Sequence, residues 1–131
     1  SGSVSGGNFI LSGSSIINMI ELSSLDISGG NVELYGNGEV NMNTGSITVS
    51  GDGSSSGHFS ANNFVSSELL SSSITVAGGN FVANDNASFD LSLSSITVSS
   101  GSLSSNDNTI FAVSQSTINV SGGSLTLTDS A

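Results

Sequence analysis

Ten carboxylates, one histidine and one tyrosine are the only ionisable side chains of this chain, which has no Lys, Arg or Cys. Paired acids come first, because two carboxylates at a fixed separation can divide the acid and base roles of glycoside hydrolysis. Two pairs share a 22-residue spacing, Asp85 with Asp107 and Glu68 with Asp90. Hydrolysis, however, needs a cleft in which one acid stays protonated, and polysaccharide lyases need a strong base such as Lys or Arg. Without that base the expectation is that the chain is not an enzyme. Asp85 and Asp107 each stand inside Asn-Asp-Asn, at 84–86 and 106–108. Stacked Asp and Asn oxygens suit calcium, a hard cation that takes six to eight of them, and make Asp85 and Asp107 the candidate metal ligands. The Gly-Gly-x-Gly-x-Asp calcium repeat is missing, and Asn and Asp are also ordinary turn residues. His58 has no second His or Cys with it, so no transition-metal site is expected, and no cofactor other than calcium.

A repeat must position these residues. A hydrophobic strand end, a small-residue pair that is usually Gly-Gly and a second hydrophobic pair recur six times, as in Ser73–Phe81 and Thr117–Leu125. The last apolar residues before the small pair are Val4, Ile27, Val49, Val76, Val98 and Val120, spaced by 23, 22, 27, 22 and 22 positions. A period of that size means a solenoid whose coils bury their apolar side chains against their neighbours. Within a coil the apolar residues alternate with polar ones, the signature of strands with one face buried. Three such pairs fit each turn: Ile74/Val76, Phe81/Ala83 and Phe89/Leu91, then Ile96/Val98, Leu103/Ser105 and Phe111/Val113. The expected fold is an all-β, three-sided parallel β-helix, one domain over residues 1–131, with coils of about 22 residues numbering five to six. Its structural ladder consists of Ile27, Val49, Val76, Val98 and Val120 with Phe81, Phe89 and Phe111. Phe59 to Val76 and Phe81 to Val98 both span 17 positions, so the five extra residues of the long repeat lie in the first corner, near 50–57. Gly29-Gly30, Gly78-Gly79 and Gly122-Gly123 supply the left-handed or close-packed backbone of that corner in other coils.

Stacking of the first strands places their outward residues in ranks, roughly 6.6 Å apart along the chain and 4.8 Å apart between coils. Thr48, Thr75 and Thr97 form the central rank, with Ser residues on either side and Asp26 interrupting it. Ice-binding solenoids use hydroxyl lattices of this kind, which makes these threonines a candidate ice face. The hydroxyls are also potential O-glycan sites, and Asn86-Ala87-Ser88 and Asn119-Val120-Ser121 match the N-glycosylation pattern. With a formal charge of −10 and no cationic side chain, the chain cannot neutralise phosphates, which excludes nucleic acid and anionic membrane surfaces as partners. No apolar run approaches membrane-spanning length, so no membrane insertion is expected. The absence of trypsin cleavage sites suits an extracellular, cell-surface life.

Ser116 to Thr128, Ser-Thr-Ile-Asn-Val-Ser-Gly-Gly-Ser-Leu-Thr-Leu-Thr, resembles the β-helical passengers of bacterial autotransporters and filamentous-haemagglutinin-like adhesins. Phe59-Ser60-Ala61-Asn62 and Phe81-Val82-Ala83-Asn84 are similar to the FxxN element of polymorphic membrane proteins, although Asn31, Asn80 and Ser124 follow Gly-Gly where that family has Ala. The resemblance implies a right-handed coil and a surface-displayed adhesin or fibre. Ordinary repeat residues at both ends, without a capping helix, lead to the expectation that copies stack head to tail. The expected function is thus an extracellular structural subunit of a surface filament or adhesive fibre, with itself as partner and a surface receptor or glycan as a further one. The alternatives are an ice-binding protein and a monomeric adhesin passenger fragment.

Overall fold

The computed structural model describes residues 1–51 and 57–128, and every regular element in them is a β-strand. The first coil holds β1 (Gly2–Ser5), β2 (Phe9–Leu11) and β3 (Ile16–Ile20), and the second β4 (Ser24–Ser28), β5 (Asn31–Leu34) and β6 (Glu39–Asn43). The third is β7 (Ser46–Ser50), β8 (His58–Ala61) and β9 (Ser66–Leu70); the fourth is β10 (Ser73–Ala77), β11 (Phe81–Ala83) and β12 (Ser88–Ser92). β13 (Ser95–Ser99), β14 (Leu103–Ser105) and β15 (Ile110–Ser114) make the fifth, and β16 (Thr117–Ser121) and β17 (Leu125–Leu127) follow. Each strand pairs in parallel with its equivalent one coil away. This gives a first sheet β1-β4-β7-β10-β13-β16, a second β2-β5-β8-β11-β14-β17 and a third β3-β6-β9-β12-β15. The molecule is a three-sided parallel β-solenoid of about six turns, with coils of about 22 residues.

Alternation puts one row of each strand inside. Val4, Ile27, Val49, Val76, Val98 and Val120 stack in one column of the first sheet. The middle four are buried, whereas Val4 and Val120 are half-buried because they lie on the outermost rungs. Aromatic rings join the second sheet to the third across the interior. Phe59 stacks on Phe81 with ring centres 4.8 Å apart, and Phe89 stacks on Phe111 at 5.0 Å. Phe81 meets Phe89 edge-on at 5.2 Å. Each ring pair adds about 0.5–1.5 kcal/mol beyond its buried area. One expected inward pair departs from the pattern: Val113 is 47% exposed and Phe111 only half-buried. Their strand, β15, is the outermost of the third sheet, so one of its edges has no neighbour among the described residues.

Irregularities in length fall at corners. Ser24 pairs with Ser46, 22 positions on, but Asn31 pairs with His58, 27 positions on, so the excess lies between Ser50 and His58. Most of the expected corner insertion, residues 52–56, lies outside the described residues. The one extra residue of the first coil falls between Ile20 and Ser24, where Glu21 and Leu22 both have left-handed backbone, with φ of 54° and 59°. The Gly pairs divide two tasks. Gly29, Gly78 and Gly122 take φ of 69° to 76°, which glycine adopts without strain. Their successors are held by crowding instead: a Cβ on Gly79 would lie 1.4 Å from the Gly57 carbonyl oxygen, and one on Gly123 1.5 Å from that of Gly101.

Candidate functional site

The first sheet carries the most regular outward surface. Thr48, Thr75 and Thr97 are register partners in one column, with Asp26 on the rung before and Asn119 on the rung after. Ser46, Ser73, Ser95 and Thr117 form a column on one side, and Ser50, Ala77, Ser99 and Ser121 one on the other. The three threonines are half-buried among their neighbours, while Asp26 and Asn119 are exposed. Hydroxyl groups therefore stand on a two-dimensional net in which Asp26 is the one charged member among the described residues.

Polar ladders run up the corners beside it. At the first corner each coil offers an acceptor to a backbone N–H of the next: Asn31 N–H donates to Asn8 Oδ1 at 3.3 Å, and His58 N–H to Asn31 Oδ1 at 3.3 Å. Asn80 N–H then donates to His58 Nδ1 at 3.2 Å, and Ser102 N–H to Asn80 Oδ1 at 3.1 Å. Nδ1 accepts, so the neutral imidazole carries its hydrogen on Nε2. His58 is therefore one rung of a hydrogen-bond ladder, a role that its alignment with Asn31 and Asn80 in the repeat could have signalled. The residue after Gly-Gly, where the chain departs from the polymorphic-membrane-protein pattern, is the residue that carries this ladder.

At the second corner Asn84 Nδ2 donates to Asn62 Oδ1, and Asn106 Nδ2 to Asn84 Oδ1, each at 2.7 Å. Thr128 Oγ1 continues the series to Asn106 Oδ1 at 2.7 Å. The two FxxN elements acquire a physical reason here, since the Phe fills the core and the Asn bonds up the corner. Asp85 and Asp107 sit one coil apart beside that ladder with φ of 59° and 56°, so they are the left-handed residues of their turns. Asp85 Oδ2 accepts the Asn63 N–H at 3.3 Å. Among the described residues no three His, Cys, Asp or Glu side chains come together as a metal-ligand group. Asn86 is exposed at this corner, as Asn119 is on the first sheet.

Glu68 and Asp90 are register partners, both exposed on the outer face of the third sheet. On the second sheet the Tyr35 hydroxyl donates to Glu33 Oε2 at 3.2 Å. That hydrogen bond and the charge of the same carboxylate raise the Tyr35 pKa above the ordinary phenol value, with burial contributing least. Comparison with protein-family models, with curated proteins and with solved structures finds no match for the chain.

Two outcomes are expected. Asn8, Asn31 and Asn80 serve the first-corner ladder with an amide oxygen, so His58→Asn should leave stability within about 0.5 kcal/mol of the parent. His58→Ala, which strands the Asn80 N–H, should cost about 1–2 kcal/mol. Urea unfolding reads both, and equal losses would remove the ladder contact as the cause. Tyr35 is the sole tyrosine, so its ionisation can be followed by ultraviolet absorbance. Its pKa is raised on folding, so the stability this pair contributes is present below about pH 10 and is lost as pH rises through the folded value. Glu33→Gln should move the absorbance midpoint down toward that of free tyrosine; an unmoved midpoint would exclude the pair as the cause.

Proposed function

We propose that this protein is an extracellular structural subunit that stacks head to tail into a β-solenoid filament or adhesive fibre. The observation that carries this reading is the in-register stacking of near-identical rungs, each strand paired in parallel with its equivalent one coil away, an array that further rungs of the same kind continue. Val49, Val76 and Val98, which have a rung on either side, are fully buried. Every rung presents rows of backbone donors and acceptors that the next one pairs. A second copy offers a rung of equal width and hydrogen-bond spacing, and a contact between unlike ends makes an open, polar fibre.

Stacked at about 4.8 Å per coil, each subunit advances the fibre by about 27 Å. A chain without Lys or Arg gives trypsin-like proteases no cleavage site, and the exposed Asn86 and Asn119 are placed for glycosylation, both suited to an extracellular surface. The role is structural rather than catalytic, and a receptor or glycan would be met along the sides. Electron microscopy of purified protein at neutral pH should show rods of variable length. Val98→Asp, which buries a charge with no partner, should unfold or depolymerise them. Particles of one short length would favour a monomeric adhesin instead, and a Val98→Asp protein that assembles with the parent's heat resistance would overturn the reading.

The in-register rank of Thr48, Thr75 and Thr97 favours ice binding as the second reading. Under it, the protein depresses the freezing point below the melting point, and Thr75→Tyr abolishes the gap by breaking the net at its centre. A parent protein without thermal hysteresis would eliminate it.

A further inference from the structure

The third corner, where each coil passes from the third sheet back to the first, is built unlike the other two. The left-handed residues of the first corner are Gly6, Gly29, Gly78 and Gly122, with Ser100 the exception; those of the second are Gly13, Gly36, Asn63, Asp85 and Asp107. Gly, Asn and Asp adopt that backbone most readily. The third corner instead uses Leu22, Thr44, Ser71, Leu93 and Gln115, with φ between 48° and 59°, and the first coil adds Glu21, at 54°, just before Leu22. Leucine and β-branched threonine are poorly suited to such a position. Here they project outward, with Leu22 84% and Leu93 57% exposed.

These five side chains form one lip of a groove of about 480 Å³ that runs along the solenoid. Hydroxyls at the starts of the first-sheet strands, Ser46, Ser73, Ser95 and Thr117, form the other lip. The floor is closed by Ser72 and Ser94, whose hydroxyls are held in the corner ladder: Gly45 N–H donates to Ser72 Oγ at 3.1 Å, and Ser72 N–H to Ser94 Oγ at 3.0 Å. No charged side chain lines this groove. The hollows on the outer face of the third sheet, in contrast, are lined by Glu68, and in one of them by Asp90 as well.

We propose that the third-corner groove binds a neutral glycan chain laid along the solenoid axis. Its lining offers no carboxylate to a cation, while the net charge of −10 opposes an anion. Its length favours a linear polymer, because the same polar groups recur about every 4.8 Å. Sugar hydroxyls find donors and acceptors on both lips, and the C–H faces of the rings find Leu22 and Leu93, the mixture of apolar surface and placed polar groups that defines a ligand site. The inference rests on the surface-fibre reading only for its setting, since all the residues that line the groove belong to a single chain.

Calorimetric titration of the purified protein with cellohexaose, laminarihexaose and chitohexaose tests it, and at least one should give saturable binding. Leu93→Asp keeps a residue type that Asp85 and Asp107 already place in left-handed backbone, so the fold should survive. Removing the apolar contact to the sugar ring and desolvating a carboxylate in its place should weaken binding at least about tenfold. Leu93→Gly should weaken binding while leaving the melting temperature unchanged or higher, a split that a purely structural role for Leu93 would not produce. Absence of binding to all three hexasaccharides, or unchanged affinity in Leu93→Asp, would overturn the proposal. Filaments that bind none of them would end this inference and leave the fibre reading standing; short single particles that bind one would do the reverse.

Discussion

Successive coils of a parallel solenoid have to stay about 4.8 Å apart at the corners as well as along the strands, and most of this molecule follows from that distance. Corner backbone is held to its neighbour as closely as strand backbone is. The N–H groups of Gly6, Gly29 and Gly78 each donate to a carbonyl of the next coil at 2.8 Å. Gly79 and Gly101 lie so close to the carbonyl of the preceding coil that a side chain would overlap it. Changes in coil length are therefore confined to places where the chain can leave the stack and return in register. The first coil absorbs one residue with a second left-handed residue at Glu21, and the five extra residues of the third coil fall between Ser50 and His58. Register on either side is undisturbed, because a slip of one residue would turn every buried side chain outward.

With no disulfide available and no cationic side chain to pair with a carboxylate, cohesion has to come from apolar columns and neutral hydrogen bonds. The three corners satisfy their backbone differently. At the first, side-chain acceptors on one coil serve the N–H groups of the following coil; at the third, the serine hydroxyls of one coil serve those of the preceding coil, as Ser116 Oγ serves Ser94 N–H at 2.8 Å. At the second, amide side chains bond to one another. Each contact contributes about 1 kcal/mol net, and leaving a buried partner unmatched costs more. Repetition makes these small terms matter, since stability in such an array is a sum over coils and their interfaces.

The apolar columns were legible in the sequence because burial on a strand is a period-two property, and Ile74, Val76, Ile96 and Val98 show it without interruption. Gly-Gly was legible for a similar reason, since few other residues fit either of its positions. Serine was not. Ser72 and Ser94 are buried ladder members while Ser71 and Ser73 beside Ser72 are more exposed, and one letter serves both roles because the neighbouring coil decides which it has. His58 was read as an isolated polar residue for want of a metal partner, although its work is that of the asparagines above and below it. The third corner was the least visible. Nothing in Leu22 or Leu93 as residue types marks left-handed backbone, and their position emerges only when the coils are aligned in space.

The charged side chains of this solenoid are all of one sign, and the geometry of the stack decides how much that costs. Glu68 and Asp90 stand on adjacent rungs, yet both are exposed, and two such charges repel by only about 1 kcal/mol in water. The fold bears that easily, but two solenoids approaching side by side would bring whole ranks of carboxylates together. Sideways pairing also has no backbone to use, because every strand edge inside the stack is already bonded to the coil above and below. A rung gains backbone partners only above and below it, so hydrogen bonding acts along the stack while the exposed carboxylates act across it.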